Sequence, residues 1–470
     1  MIQVKAACDR WRQPAAMDTA TLLARYDQRI PRYTSYPTAP HFSPRVDAAT
    51  YRDWLSALPE DTALSLYLHV PFCAELCWFC GCHTTATRRA EPKTAYARTL
   101  LDEIDLVADA IGRRLPVRHI HWGGGTPTAL SPIWMQAIAA RLASRFTILP
   151  EAEIAVEIDP RTLSDGSVAA MEAIGVTRAS LGVQDFDERV QAAVNRHQSF
   201  AVTEAAAVKL RARGIGAINL DLIYGLPYQT EASVRATIAR ALTLAPARVA
   251  VFGYAHVPWL KRHQTLLPAD SLPTPEARFA QREVAEATVL GAGYVAVGLD
   301  HYAIPDDPLA HAASAGTVRR NFQGYTTDTA PVLLGLGASS IGALPQGYVQ
   351  NLPAVPAWRD AIRAGRLPVA RGTALSPEDR LRRAVIETIM CQGAADLAAI
   401  AAGLGAGREA LASAEPALAQ QARDGLIRWD GTRLAITPRG RPFTRAVAAC
   451  FDTYLTATQT TGTPRHAAAV

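Results

Sequence analysis

Long apolar runs are absent from this 470-residue chain. No window of about 18 apolar residues occurs, which disfavours a membrane-spanning helix. The first residues, MIQVKAACDRWRQPAAMD, also contain no apolar core of the kind that signal peptides carry. We therefore expect a protein of the cytoplasm rather than a secreted or membrane protein.

Blocks of basic residues are also missing, and lysine is rare, with only 4 of the 48 basic residues. The 48 basic and 43 acidic residues give a formal net charge of +5. Such a small and dispersed excess argues against nucleic-acid binding as the main function. It is compatible with a small anionic substrate.

Cysteine is scarce, with seven residues in all, yet four of them fall within ten positions. The clustered residues are Cys73, Cys77, Cys80 and Cys82, whereas Cys8, Cys391 and Cys450 stand apart. In a large chain without a secretion signal, this grouping indicates metal or redox chemistry rather than a disulfide framework.

Between about residues 63 and 260, short apolar runs alternate with amphipathic helical stretches. This alternation is typical of parallel strands joined by helices. Six strands are predicted, at 64–70, 118–122, 153–158, 178–183, 218–224 and 248–254. The expected fold class is therefore α/β, with a partial (β/α)6 barrel at residues 61–375.

The two ends of the chain differ from this pattern. Residues 1–60 are rich in Pro, Tyr and Arg and are predicted to form an N-terminal arm with a helix near Asp47 to Leu58. From Ser376, alanine-rich helices, a hairpin at Asp430-Gly431 and a last helix predict a small winged-helix-like α+β domain at residues 376–456. Residues 457–470 are predicted to be a disordered tail.

The spacing C-x3-C-x2-C of Cys73, Cys77 and Cys80 directly follows the first predicted strand, at the end of a barrel where active sites lie. Three thiolates are one short of the usual four, so an iron-sulfur cubane on them would keep one iron open to an external ligand. Alternatives are a structural zinc site or a closed cluster with Cys82 as fourth ligand. Zinc is less favoured, since its structural sites usually use two separated pairs of ligands.

The cysteine motif, with Phe79 before its third cysteine and GGGTPT after the second strand, resembles the radical S-adenosylmethionine superfamily. That resemblance implies a 4Fe-4S cluster on Cys73, Cys77 and Cys80, with S-adenosylmethionine on the open iron. Further segments, among them RYTSYPTA, NLDLIYGLPYQT, GLDHYA, RRNFQGYTT and CFDTYL, resemble the oxygen-independent coproporphyrinogen III oxidases from about residue 25 to 456. Their activity is the oxidative decarboxylation of coproporphyrinogen III to protoporphyrinogen IX in haem biosynthesis, driven by 5'-deoxyadenosyl radicals.

The resemblance also implies two S-adenosylmethionine molecules. The positions matched to the cluster-bound molecule are Tyr67, Gly124, Glu157, Ala255 and Ile341, and those matched to the second are Phe79, Gly125, Thr126, Gln184, Arg196 and Asp221. Glycines without Cβ allow a close approach to a ligand, and a strand-end carboxylate can accept hydrogen bonds from ribose hydroxyls. Taken singly, these residues could equally be turns, packing contacts or surface charges.

A tetrapyrrole with four propionates requires cationic or hydrogen-bonding partners. Candidates in or beside the matched segments are Arg32, Lys261, Arg262, Arg319, Arg320, His256, His263 and His301. We expect a monomer that receives electrons from an unidentified low-potential donor and binds neither nucleic acid nor membrane. Two other functions remain open: a haem chaperone of the same superfamily, whose members generally lack the RYTSYPT segment, and a DNA-binding role for the C-terminal domain.

Overall fold

The computed structural model of the protein describes residues 17–458 and residue 467. The predicted arm before residue 17, and most of the predicted tail, lie outside these residues. The described chain divides into two compact units. One contains residues 39–375, and the other contains residues 17–38 together with the C-terminal segment from Ser376. The described part of the predicted arm at residues 1–60, which is residues 17–60, is thus shared between the two units.

The first unit is built on the six predicted parallel strands. They span Leu64–Val70, Pro116–Gly124, Thr147–Ile158, Arg178–Gln184, Ala217–Tyr224 and Arg248–Gly253, and each pairs with the next in parallel. Leu64, Leu66, Leu68 and Val70 of the first strand share one face and are fully buried, whereas Ser65, Tyr67 and His69 occupy the other face. The predicted fold class, α/β with a partial (β/α)6 barrel, is confirmed.

The sheet continues beyond the predicted strands on both sides, to twelve strands. A seventh parallel strand, Val332–Leu336, pairs with Leu64–Val70, and the sequence did not predict it. Antiparallel strands complete the two edges: Ile341–Leu344, Gly347–Asn351 and Val369–Ala374 on one side, and His301–Ala303 and Val295–Val297 on the other. The two outermost strands are not paired with each other, so the barrel is open.

Helices cover the outer face of this sheet. They span Ala48–Ser56, Ala90–Ile111, Pro132–Arg145, Asp165–Ala173, Glu188–Ala193, Phe200–Ala212, Glu231–Leu242, Pro275–Gly291, Pro308–Ala315 and Val355–Arg363. The predicted helix near Asp47 is the first of them, and the Asp47 side chain accepts a hydrogen bond from the backbone N–H of Thr50 at its start. A short hairpin, Arg319–Asn321 with Gly324–Thr326, lies outside the main sheet.

The second unit has the predicted order of a winged-helix-like fold. Its helices are Thr19–Tyr26, Pro377–Gln392, Leu397–Gly403, Glu415–Arg423, Thr444–Ala449 and Thr453–Thr458, and its three strands are Ala394–Asp396, Ile427–Trp429 and Arg433–Ile436. Ser376 begins the second of these helices with a capping box to Asp379. The N-terminal residues join this unit through hydrogen bonds from Tyr26 to Asp424 and from Tyr33 to Asp452.

None of the helices described for residues 17–458 is long and apolar enough to cross a membrane.

Candidate active site

The cysteine loop begins where the first barrel strand ends. Phe72–Cys73 pairs with Thr85–Ala86 as a two-stranded parallel ladder, which closes the intervening residues into a loop. The loop is also held from the side: the backbone N–H of Trp78 donates to the carbonyl of Val194, and the Asn195 amide donates to the carbonyl of Leu76. The strand pairing and these hydrogen bonds therefore hold the three motif cysteines at the carboxyl end of the barrel.

Each of the three motif sulfurs has a hydrogen-bond donor group nearby. Near Cys73 Sγ lie the hydroxyl oxygens of Thr84, at 3.3 Å, and Thr126, at 3.7 Å. Near Cys77 Sγ lie the guanidinium groups of Arg196, at 3.4 Å, and Arg161, at 3.6 Å. The backbone N–H of Cys82 lies 3.4 Å from Cys80 Sγ. Donors of this kind stabilise thiolates, which are the form that binds iron. The residues present therefore fit an iron-sulfur cluster.

Cys82 behaves differently from its neighbour Cys80. Hydrogen bonding from Cys82 lowers the pKa of the Cys80 thiol to about 7, whereas the same contact raises the pKa of Cys82. Cys80 is thus the more acidic thiol of the pair. Within the described residues, no three His, Cys, Asp or Glu side chains converge on a point that could hold a single metal ion.

Glu157, at the end of the third strand, is joined to the glycine run at the end of the second. One carboxylate oxygen accepts a 3.1 Å hydrogen bond from the backbone N–H of Gly124, and the other lies 2.9 Å from His121 Nε2. Burial raises the pKa of Glu157, but these partners outweigh it and hold the pKa below its usual value. A Cβ on Gly123 would lie 2.7 Å from Glu157 Oε1 and 3.0 Å from the Tyr67 ring, so glycine lets both side chains approach the backbone without displacement.

The structure brings together only some of the residues matched to the cluster-bound S-adenosylmethionine. Tyr67 stacks on the imidazole of His121, with ring centroids 5.8 Å apart, and so lies beside Glu157 and Gly124. Ile341 contacts Gly335, which pairs with Tyr67 in the sheet. Ala255 lies farther along the rim, where its carbonyl accepts a 3.2 Å hydrogen bond from Gln264.

The residues matched to the second molecule form three small groups. Gly125 and Thr126 donate their backbone N–H groups to Val70 and Phe72 at the base of the cysteine loop. Phe79 packs on the apolar cluster around Tyr254, and Gln264 bonds its carbonyl at 3.0 Å.

Arg196, Gln184 and Asp221 make up the third group. Arg196 and Gln184 both lie against Gly182 on the fourth strand. Asp221 accepts a 2.9 Å hydrogen bond from Ser180, and burial raises its pKa to about 6.

The inside of the barrel holds a polar cavity of about 260 Å³. Glu157 and Asp221 line it together with His121, Ser180, Arg178, Arg248, His301 and Tyr325. The cavity reaches below the cysteine end of the strands to buried ion pairs of Asp307 with Arg178 and Arg248. It presents both charges and hydrogen-bonding groups to an enclosed ligand.

The substrate candidates lie in different places. His301 lines the cavity, 2.8 Å from Asp300 Oδ1, and the Arg320 guanidinium stacks 4.3 Å from the Tyr325 ring centroid. Lys261 and His263 instead contact the cysteine loop, at the carbonyls of Cys82 and Cys80. The remaining candidates are Arg319 on the short hairpin, Arg262 at the start of a 3-10 turn, His256 at 2.9 Å from the Tyr254 hydroxyl, and Arg32 in the second unit.

Sequence reasoning did not single out four residues of this region. His69 lies 3.1 Å from the Tyr67 hydroxyl, and His121 contacts Glu157. Arg161 contacts Cys77 Sγ and is itself bound by the Asp159 carboxylate. A signal existed for His121, which is two residues before Gly123 and so shares its face of the strand. None existed for Arg161, whose contact with Cys77 depends on the tertiary fold.

Comparisons with known proteins agree with this architecture. Residues 67–241 match the family model of the radical SAM superfamily, and residues 375–443 match that of the HemN C-terminal domain. A protein of Bradyrhizobium diazoefficiens named oxygen-independent coproporphyrinogen III oxidase is 54% identical, over 91% of this chain and 95% of its own. A protein of the same name from Paracoccus denitrificans is 45% identical, over 92% of this chain and 96% of its own.

A solved structure agrees as well. Coproporphyrinogen III oxidase (HemN) from Escherichia coli, described as a radical SAM enzyme, superposes with a TM-score of 0.86 at 36% identity. The match covers 91% of this chain and all of that one. The chain therefore belongs to the oxygen-independent coproporphyrinogen III oxidase family of the radical SAM superfamily.

Proposed function

We propose that this protein is a cytoplasmic, monomeric enzyme that converts coproporphyrinogen III to protoporphyrinogen IX without oxygen. The observation that carries the proposal is the grouping of three donor-supported cysteines with the Glu157–Gly124 pair at one end of the barrel. It occurs in a chain whose relative, 54% identical, is named for this reaction. The reaction removes two propionate carboxyl groups as carbon dioxide and leaves two vinyl groups.

In this proposal Cys73, Cys77 and Cys80 hold a 4Fe-4S cluster. When bound, the cluster and S-adenosylmethionine would supply the radical chemistry that removes a hydrogen atom from the propionate β-carbon. Glu157 would accept hydrogen bonds from the ribose, and the absence of a Cβ at Gly123 and Gly124 would let the ligand approach the backbone. The residues matched to a second S-adenosylmethionine would hold it beside the same loop.

The barrel's own residues have two tasks. The first is to exclude water, because a carbon radical reacts with any neighbouring hydrogen donor, and the enclosed cavity serves this purpose. The second is to hold the substrate still while its β-carbon reacts. His301 and the guanidinium groups near the hairpin are suited to binding propionates. A low-potential donor supplies electrons, and neither nucleic acid nor membrane takes part.

The test is an anaerobic assay of the reconstituted protein with dithionite, S-adenosylmethionine and coproporphyrinogen III. Protoporphyrinogen, methionine and 5'-deoxyadenosine should accumulate together, and the Cys77→Ala variant should produce none of them. A protein that retains haem or porphyrin without any turnover would contradict the proposal and support the chaperone function. Salt-sensitive binding to duplex DNA without turnover would instead indicate the DNA-binding function.

A further inference from the structure

Asp159 and Arg161 contact the cysteine loop although neither belongs to the cysteine motif. Asp159 directly follows the third strand, and Arg161 lies in the 3-10 turn Pro160–Thr162. The Asp159 carboxylate accepts hydrogen bonds from the Arg161 backbone at 3.1 Å, from its Nε at 3.0 Å and from its Nη2 at 2.6 Å. This two-pronged contact fixes the guanidinium, and its Nη2 lies 3.6 Å from Cys77 Sγ.

Arg196 reaches the same sulfur from another segment. Its Nη1 lies 3.4 Å from Cys77 Sγ, its Nη2 lies 3.5 Å from Asp159 Oδ1, and Nη2 donates a 2.6 Å hydrogen bond to the Gly182 carbonyl. Two guanidinium groups thus share one carboxylate and one sulfur. We call Asp159, Arg161, Arg196 and Cys77 the sulfur tetrad.

The charges of the sulfur tetrad balance only when Cys77 is a thiolate. Cys77 is 7% exposed, Asp159 is 8% exposed and Arg196 is 7% exposed, so an unpaired charge here would be costly. Two guanidinium cations and one carboxylate leave one positive charge in excess. A negatively charged sulfur ligand cancels that excess, because the groups that surround Cys77 Sγ carry one net positive charge.

We propose that Arg161 is a positioning residue that raises the reduction potential of the cluster, and that Asp159 limits the size of this effect. The inference rests on the proposed function in one respect, since it requires a cluster bound to Cys77. Reduction adds one electron, so a cation and an N–H donor at a ligand sulfur favour the reduced cluster. Arg161 is the residue to test because the family resemblance assigns Arg196 to S-adenosylmethionine.

The experiment measures the midpoint potential of the reconstituted full-length protein without S-adenosylmethionine or substrate. Samples are poised with dithionite and mediators under anaerobic conditions, and the paramagnetic signal of the reduced cluster is recorded against potential. Arg161→Gln should lower the midpoint potential because it removes a positive charge. Asp159→Asn should raise it because it removes a negative charge while the amide oxygen can still accept the Arg161 backbone N–H.

Arg213→Gln is the matched control. It removes the same positive charge from an exposed ion pair, in which Arg213 lies 2.8 Å from Glu172. Arg213 comes just before the start of the fifth strand and therefore lies at the opposite end of the barrel from the cysteine loop. Its potential should equal that of the unmodified protein. Arg161→Lys keeps the positive charge and should therefore shift the midpoint potential less than Arg161→Gln. It can still be measured if the glutamine variant loses its cluster.

Opposite shifts for Arg161→Gln and Asp159→Asn would support the inference, since general damage to the loop would move both in one direction. Shifts of the same sign, or shifts no larger than that of Arg213→Gln, would overturn it. Equal shifts for Arg161→Lys and Arg161→Gln would also overturn it. A protein that shows these potentials but does not turn over coproporphyrinogen would contradict the proposed function alone.

Discussion

The backbone N–H of Gly124 donates a 3.1 Å hydrogen bond to Glu157, a residue 33 positions later in the chain. The bond joins the ends of the second and third barrel strands beside the cysteine loop. Because His121 occupies the other carboxylate oxygen, the orientation of Glu157 is determined before any ligand binds. A carboxylate held in this way can bind a ribose without first being ordered.

Replacement of Glu157 by glutamine tests its role in binding S-adenosylmethionine. Glu157→Gln removes the charge and should weaken binding roughly ten- to a hundredfold, because a charge-assisted hydrogen bond contributes about 1.5 to 3 kcal/mol. Binding to the anaerobic reconstituted protein is measured by titration, with iron content as the check on assembly. Glu151→Gln, on the exposed part of the same strand, is the control. Equal affinity in both variants would make Glu157 an ordinary strand-end carboxylate.

The cysteine variants separate the three motif cysteines from Cys82. Cys73→Ala, Cys77→Ala and Cys80→Ala should each abolish the cluster, since three thiolates cannot spare one. Cys82→Ala should keep it, because the other three thiolates hold the cluster and the backbone N–H of residue 82, which contacts Cys80 Sγ, survives the change. Iron content and the thiolate-to-iron absorption band are the measurements. Loss of the cluster in Cys82→Ala alone would identify a closed cluster or another metal site.

The glycine run predicts a steric effect at one position. A Cβ on Gly123 would lie 2.7 Å from Glu157 Oε1, so Gly123→Ala must displace that carboxylate or the Tyr67 ring. Overpacking of this kind costs about 1 to 3 kcal/mol. Chemical denaturation should show that loss, and S-adenosylmethionine should bind more weakly. Gly216→Ala, where a Cβ meets nothing within 4 Å, should change neither property, and an equal loss in both would contradict the prediction.

Glu103 makes the stability of the first unit depend on pH. The side chain is fully buried and accepts 2.6 Å hydrogen bonds from Gly337 and Asn351, and burial raises its pKa to about 7 from 4.5. Between pH 4.5 and about pH 7, Glu103 is deprotonated in the unfolded chain but still protonated in the folded protein, so the free energy of unfolding falls as pH rises. Above about pH 7 this decrease in the free energy of unfolding is complete and amounts to about 3 kcal/mol.

The check is the free energy of unfolding from pH 4 to pH 8 for the original protein and for Glu103→Gln. The variant has no carboxyl group at this position, so its curve should lack this decline and the difference between the two curves should change by about 3 kcal/mol. Two parallel curves would show that Glu103 does not titrate in this range. Glu151→Gln, an exposed carboxyl on the third strand, should run parallel to the original.

The sequence by itself determined the features that depend on neighbours along the chain. Leu64–Val70 has the predicted bounds because a short buried apolar run is visible without its partners. The helix beginning after Ser376 follows from a cap and a proline, which are also local signals. The three-cysteine motif lies within eight residues of one loop, so its spacing and its place directly after the first strand favoured an open iron-sulfur cluster over the alternatives. The assignments of individual residues to S-adenosylmethionine stay predictions.

The tertiary structure decided what depends on residues distant in the chain. Val332–Leu336 is only five residues long, and its place beside the first strand follows from sheet pairing rather than from its own pattern. Arg161 and Arg196 reach Cys77 Sγ across 84 and 119 positions. Side-chain periodicity reports only which face of an element is buried, whereas these contacts arise because parallel strands bring their carboxyl ends to one edge of the barrel.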